Sequence, residues 1–186
     1  LRARLEDIMV ATDYANLTLI PGDAEMSGVA NLQTFQKRRL IKQLMQLDCD
    51  ILLLDLGAGT NFNTLDFFLL SDDGLLVITP MLTSILNAYL FLKNVVFRVM
   101  TAAFRRGSSG AEYLATLQRD GASLQSIYVP RPASELEARD PRHFEAFASR
   151  LAQLRPRLIH NMFEDVSDEA QAGKLRRSVT AYLGSE

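Results

Sequence analysis

The stretch "DILLLDLGAGTNFNTLDFF", residues 50–68, sets an acid and two glycines at the end of a short apolar run. Asp55 closes the run "ILLL", which would put a carboxylate at the rim of a sheet. Such a carboxylate can hold a hydrated Mg²⁺ on nucleotide phosphates, because magnesium keeps several waters and takes only one or two protein carboxylates beside phosphate oxygens. The same acid can instead cap the turn that follows it. Gly57 and Gly59 let the backbone approach a phosphate and aim an N–H at it, since neither carries a Cβ. Glycines in this position also simply make turns, so both readings stand on these residues alone.

Those residues need a strand behind them and a helix after them. "ILLLD" and "GLLVITP" are continuous apolar runs too short for helices, and both read as parallel strands that face helices on each side and so need not alternate. Between them "NTLDFFLL" reads as a short helix capped by Asn61 or Asn63. A long helix is expected from Thr83 to about Phe104, with Ile85, Leu86, Tyr89, Leu92, Val96 and Val99 inward; Leu90, Phe91 and Val95 make it apolar nearly all round.

Upstream, residues 2–10 read as a helix tail, "NLTLIPGD" as a strand over Leu17–Ile20, and residues 31–50 as an amphipathic helix with Leu32, Phe35, Leu40, Ile41, Leu44 and Leu47 on one stripe. Downstream, "RRGSSGAE" reads as a loop. "EYLATLQ" and "HFEAFASRLAQL" read as helices around a proline-rich connection at Pro130, Pro132 and Pro141. "RPRLIHNM" reads as a strand, and residues 167–184 as a final helix with Ser167 as N-cap and Gly184 past its end. Helices alternating with short apolar strands predict one α/β domain: an open, mostly parallel sheet flanked by helices, with ligands at the carboxyl ends of its strands.

Composition narrows the classes of function. The chain has 186 residues, 48% hydrophobic and 23% charged, enough to bury roughly two-thirds of its unfolded surface. A net charge of −2 offers no general attraction for nucleic acid or anionic lipid. The basic groups Lys37–Arg38–Arg39, Arg105–Arg106 and Arg176–Arg177 therefore read as solvated helix faces rather than a nucleic-acid surface. Cys49 is the only cysteine, which excludes an intrachain disulfide and a Cys-rich zinc site and fits a reducing cytoplasm. His143 and His160 have no Cys or His at metal-ligand spacing, and no Gly-x-Ser-x-Gly elbow or Cys/His pairing supports a hydrolase. No uninterrupted apolar run reaches the length of a membrane span, and "LRARLEDIMVATDY" lacks a signal-peptide core.

Taken together, "NLTLIPGD", "QKRRLIKQLMQLDCDILLLDLGAGTNFNTLDFFLLSDDGLLVITP", "TSILNAYLFLKN", "RPRLIHNMFEDVSD" and "KLRRSVTAYLG" resemble the MinD/ParA family of P-loop ATPases, in the MinD-like branch that includes flagellar-number regulators of the FlhG type. The resemblance covers most of residues 14–98 and 154–184. It implies a P-loop NTPase fold in which "LLLDLGAG" is the Walker B and switch II region. Asp55 would then bind Mg²⁺ through water, Gly57 and Gly59 would lie against the ATP phosphates, and the Gly59 amide would sense the γ-phosphate. Asn161 would read the adenine base, a role that suits an amide because it both donates and accepts. On the residues alone, Asn161 reads rather as a strand-end side chain bonded to nearby backbone.

Two departures qualify the activity. No G-x-x-x-x-G-K-S/T segment occurs in these residues, and the family carries that loop on a strand upstream of the matched region. Met81 and Leu82 in "TPMLTS" stand where relatives carry an acid and a proline. The expectation is therefore the central and C-terminal part of an ATP-switched positioning protein, serving a flagellum, a division site or a similar structure. It would be cytoplasmic, peripheral to a membrane or cell pole only through a protein partner, and without its own membrane anchor. Hydrolysis by these residues alone is not expected, because the missing loop supplies most of the positioning and charge stabilisation. Unpaired sheet edges predict self-association, as a homodimer or otherwise. The alternatives are a non-enzymatic, degenerate partner-binding module and another open α/β protein, such as a receiver-like domain, with Asp55 as a plain strand-end acid.

Overall fold

The computed structural model describes residues 4–22, 32–119 and 130–162, together with Gly173 and Arg177. The predicted final helix lies almost wholly outside the described residues; its Gly173 and Arg177 are helical. The chain divides into two compact units, Leu1–Asp55 and Leu56–Glu186.

In the first unit, Leu5–Ile8 forms a single 3₁₀ turn in which the Asp7 carboxylate accepts the Arg4 N–H at 3.2 Å. The helix expected over residues 2–10 ends there. Met9 is extended and Val10–Ala11 (β1) pairs antiparallel with Thr18–Leu19 (β2), Val10 opposite Leu19. β-branched Val10 loses χ1 freedom in a helix and none in a ladder, so a cross-strand partner outweighs weak local spacing. The connecting turn is held by the Thr12 hydroxyl, which donates to the Leu17 carbonyl at 2.8 Å, and by Asn16 at a φ of 61°, a left-handed conformation that asparagine tolerates.

Thr34–Leu44 (α1) realises the predicted amphipathic helix over a shorter span, with Leu44 buried and Leu40 and Ile41 half-buried. Phe35, expected inward, is 66% exposed. The predicted strand at residues 51–55 carries no ladder among the described residues, and Ile51 and Leu53 stand exposed. An apolar run needs a neighbour's N–H and C=O groups before it becomes a strand, and no local pattern supplies them.

The second unit is organised around one long helix, Leu82–Ala103 (α3). Its 22 residues are apolar enough by length and composition to cross a membrane, and eight of them, including Lys93, are buried against neighbouring elements. Three apolar clusters use it. Val96, Phe97, Val99 and Met100 pack with Phe104 and with Leu114, Leu136 and Phe147. Those three come from Ser109–Arg119 (α4), Pro130–Arg139 (α5) and Pro141–Gln153 (α6) respectively. Val95 packs with Leu65 and Phe68 of Phe62–Phe68 (α2), and Ala88 packs under Ile78. Met100 and Leu136 are fully buried, each contributing about 1.5–3 kcal/mol of apolar transfer. Of the side chains expected inward, Leu92, Val96 and Val99 are buried and Ile85 and Tyr89 half-buried, but Leu86 is exposed. The core gathers on the C-terminal half of the helix, where α4, α5 and α6 lie.

Local signals explain most of these boundaries. Asn61 caps α2, its Oδ1 accepting the Asn63 and Thr64 N–H groups, both at 3.0 Å. Helix α4 starts inside the predicted loop, because the Ser108 hydroxyl accepts the Ala111 N–H at 3.2 Å and serves as a cap. The expected proline-rich connection is largely helix α5. Pro130 and Pro132 occupy its first turn, where an N–H has no intrahelical partner to lose. Asp140 caps α6, with Pro141 at its first position.

Leu75–Ile78 (β3) and Arg157–His160 (β4) pair in parallel, Leu75 opposite Arg157 and Ile78 opposite His160. Leu76, Ile78 and Leu158 turn toward the apolar clusters, while Leu75, Val77 and Ile159 are exposed on the other face.

Candidate functional site

Parallel strands with a helix on one face offer a ligand the rim at their carboxyl ends, so the residues just past Ile78 and His160 come first. From β3 the chain passes through Thr79, Pro80 and Met81 into α3, so the N-terminus of that helix begins at this rim, where its dipole favours negative charge. The entry is held by the Ser84 hydroxyl, which accepts the Thr79 N–H at 3.0 Å, and by the Met81 carbonyl, which accepts the Ser84 and Ile85 N–H groups at 2.9 and 3.1 Å. Met81 and Leu82 are exposed, so the substitution noted in "TPMLTS" falls on a solvent-facing apolar pair.

Asn161 lies at the same rim. Its N–H donates to the Ile78 carbonyl at 2.8 Å, extending the ladder by one residue past β4. Its side-chain Oδ1 accepts the Met162 N–H at 3.0 Å, a bond made with Met162 at a left-handed φ of 57°. This is the strand-end arrangement that the residue alone allows. It still leaves one lone pair on Oδ1, and Nδ2 has no hydrogen-bond partner among the described residues. The exposed side chain thus keeps a donor group and one acceptor lone pair available.

Gly57 and Gly59 are both exposed, in a segment without regular structure that leads into α2. They are not equivalent. Gly59 has a φ of 129°, a backbone conformation that side chains of L-residues rarely adopt, and an added Cβ would meet nothing within 4 Å. Gly57 has neither a positive φ nor a close neighbour, so its backbone does not require glycine. Leu56, between these glycines and Asp55, packs on the Leu65–Phe68–Val95 cluster and anchors the segment.

Asp55 is the last residue of the first unit and is exposed. No hydrogen bond or ion pair engages its carboxylate among the described residues, and the following helix is capped by Asn61, so Asp55 makes no cap. Gly57, Gly59 and Asn161 belong to the second unit. No hydrogen bond joins Gly57, Gly59 and Asn161 to one another among the described residues. The described residues also contain no group of three or more His, Cys, Asp or Glu side chains able to hold a metal. A single carboxylate acting through water and phosphate oxygens needs no such group.

Sequence reasoning missed the polar network at the opposite, amino end of the strands. Asp72 pairs with Arg150, whose Nη2 also donates to the Leu69 carbonyl at 3.1 Å. Asp73 accepts from Arg157 at 3.1 Å and lies 3.7 Å from Arg155. The Arg155 and Arg157 N–H groups donate to the carbonyls of Asp72 and Gly74 at 2.7 and 2.8 Å. Partners about eighty residues apart leave no periodic signal, although the clustered "RLAQLRPR" basic residues and the "SDD" acids were there to be matched. Of the basic groups read as solvated, Arg38, Arg39, Arg105, Arg106 and Arg177 are exposed and Lys37 is half-buried. Comparisons with protein-family profiles, with curated proteins and with solved structures find no match to this chain.

Proposed function

We propose that these residues form the base- and magnesium-contacting part of a MinD/ParA-like, P-loop ATPase switch that positions a cellular structure, working as a dimer. In this reading Asp55 holds Mg²⁺ through water, Gly57 and Gly59 bring backbone to the ATP phosphates, and Asn161 reads adenine. The supporting observation is the parallel register of β3 and β4, which sets Asn161 one residue past Ile78, at the rim where α3 begins, with Nδ2 unengaged and a lone pair left on Oδ1. The left-handed backbone at Gly59 supports a close approach by a ligand there, since a side chain is excluded by conformation rather than by crowding. With no G-x-x-x-x-G-K-S/T segment among the 186 residues, the reading assigns them binding contacts and leaves phosphoryl transfer to groups they do not contain.

The test is a titration of a fluorescent ATP analogue into the full-length protein with and without Mg²⁺. Asp55→Ala should abolish the magnesium dependence, and Asn161→Ala should erase any preference for adenine over guanine nucleotides. Unchanged magnesium dependence in the first variant and unchanged base preference in the second would overturn the assignment.

The second reading is a partner-binding module that keeps the scaffold without a nucleotide site. It is favoured by the exposed apolar side chains of Met81, Leu82 and Met162 at the strand-end rim, chemistry better suited to a protein surface than to phosphates. Absence of any nucleotide binding, with concentration-dependent light scattering that Leu82→Asp suppresses, would favour it.

A further inference from the structure

We draw no further inference here: the strongest candidate, the outer face of the β3/β4 pair where Leu75, Val77 and Ile159 stand exposed, carries nothing because nothing in the structure shows what covers it.

Discussion

At the amino end of the β3/β4 pair, two aspartates and three arginines close the sheet; at the carboxyl end, only a few residues away, an asparagine and exposed apolar side chains stand out. The first end is built like a joint. Asp72 and Arg150 tie the turn after α2 to α6, Asp73 ties the same turn to the entry of β4, and two backbone bonds align the strands before the ladder starts. The second end holds an asparagine with an unengaged donor, a serine that steadies the entry to α3, and three exposed apolar side chains. Ion pairs and backbone hydrogen bonds lie together at one end, and the register of the pair decides which residues the other end presents. The polar groups of the joint are consumed by the fold, whereas Asn161 keeps hydrogen-bonding capacity in reserve.

Helix α3 contributes to all three apolar clusters, so the largest effect on stability should come from the core packed along it. Leu136→Ala removes a fully buried side chain that packs on α3, and should cost about 2–5 kcal/mol in urea-induced unfolding. A loss below about 1 kcal/mol would mean that the cluster repacks around the missing side chain. Gly74→Ala attacks the joint itself. A Cβ there would lie 2.3 Å from the Phe68 ring, which is buried and packed edge-on against Phe91, so the ring has little room to give. The expected loss is about 1–3 kcal/mol, and the double variant with Phe68→Leu should recover part of it. Recovery would separate crowding from any change in the turn's backbone.

Arg150→Ala should cost about 1 kcal/mol, because its pair with Asp72 is partly exposed and screened by water. The difference from wild type should shrink as salt is raised, unlike that for Gly74→Ala. A salt-independent loss would assign the effect to the bond with the Leu69 carbonyl and to packing of the arginine stem.

Acid should loosen a different junction. The hydrogen bond from the His143 side chain holds the Asp140 carboxyl below its usual value against a smaller opposing effect of burial, with further bonds from the His143 backbone, Ser108 and Gly110. A carboxyl lowered in the folded state stabilises above its unfolded value of about 4, and that contribution is lost as pH falls through the folded value. Thermal unfolding of wild type and Asp140→Asn should therefore differ at neutral pH and converge in acid. Parallel curves throughout would show that the carboxylate's charge does not hold the starts of α4 and α6.

The smallest effect on stability belongs to the site. Asn161→Ala removes one exposed bond between neighbouring residues and should change unfolding by no more than about 0.5 kcal/mol. Under the proposed function, its effect should appear in base preference rather than in stability. If the variant were instead as damaging as Gly74→Ala, the contrast between the two ends would fail.

How far these features were legible depended on the range of the forces behind them. Helices α1, α2, α3 and α6 were visible because their apolar spacing and caps are local: Asn61 closes its own helix through bonds two and three residues away. Strands β3 and β4 were visible as short apolar or mixed runs bounded by proline, glycine and asparagine. The two glycines were visible in the sequence, yet only the dihedral angle separates Gly59, whose backbone favours glycine, from Gly57, whose backbone does not require it. Helix α5 was misread because proline is a breaker everywhere except in a first turn, and sequence cannot say that a first turn begins there.

The amino acids by themselves determined which segments can be helical, where an acid and two glycines follow an apolar run, and that no G-x-x-x-x-G-K-S/T segment lies among the 186 residues. Tertiary structure alone decided which apolar runs acquire partners: Val10 found Leu19, and Leu75–Ile78 found Arg157–His160, while Ile51–Asp55 acquired no ladder among the described residues. The reason is that a helix satisfies its backbone within a few residues, whereas a strand satisfies its own only through a segment brought close by everything folded between.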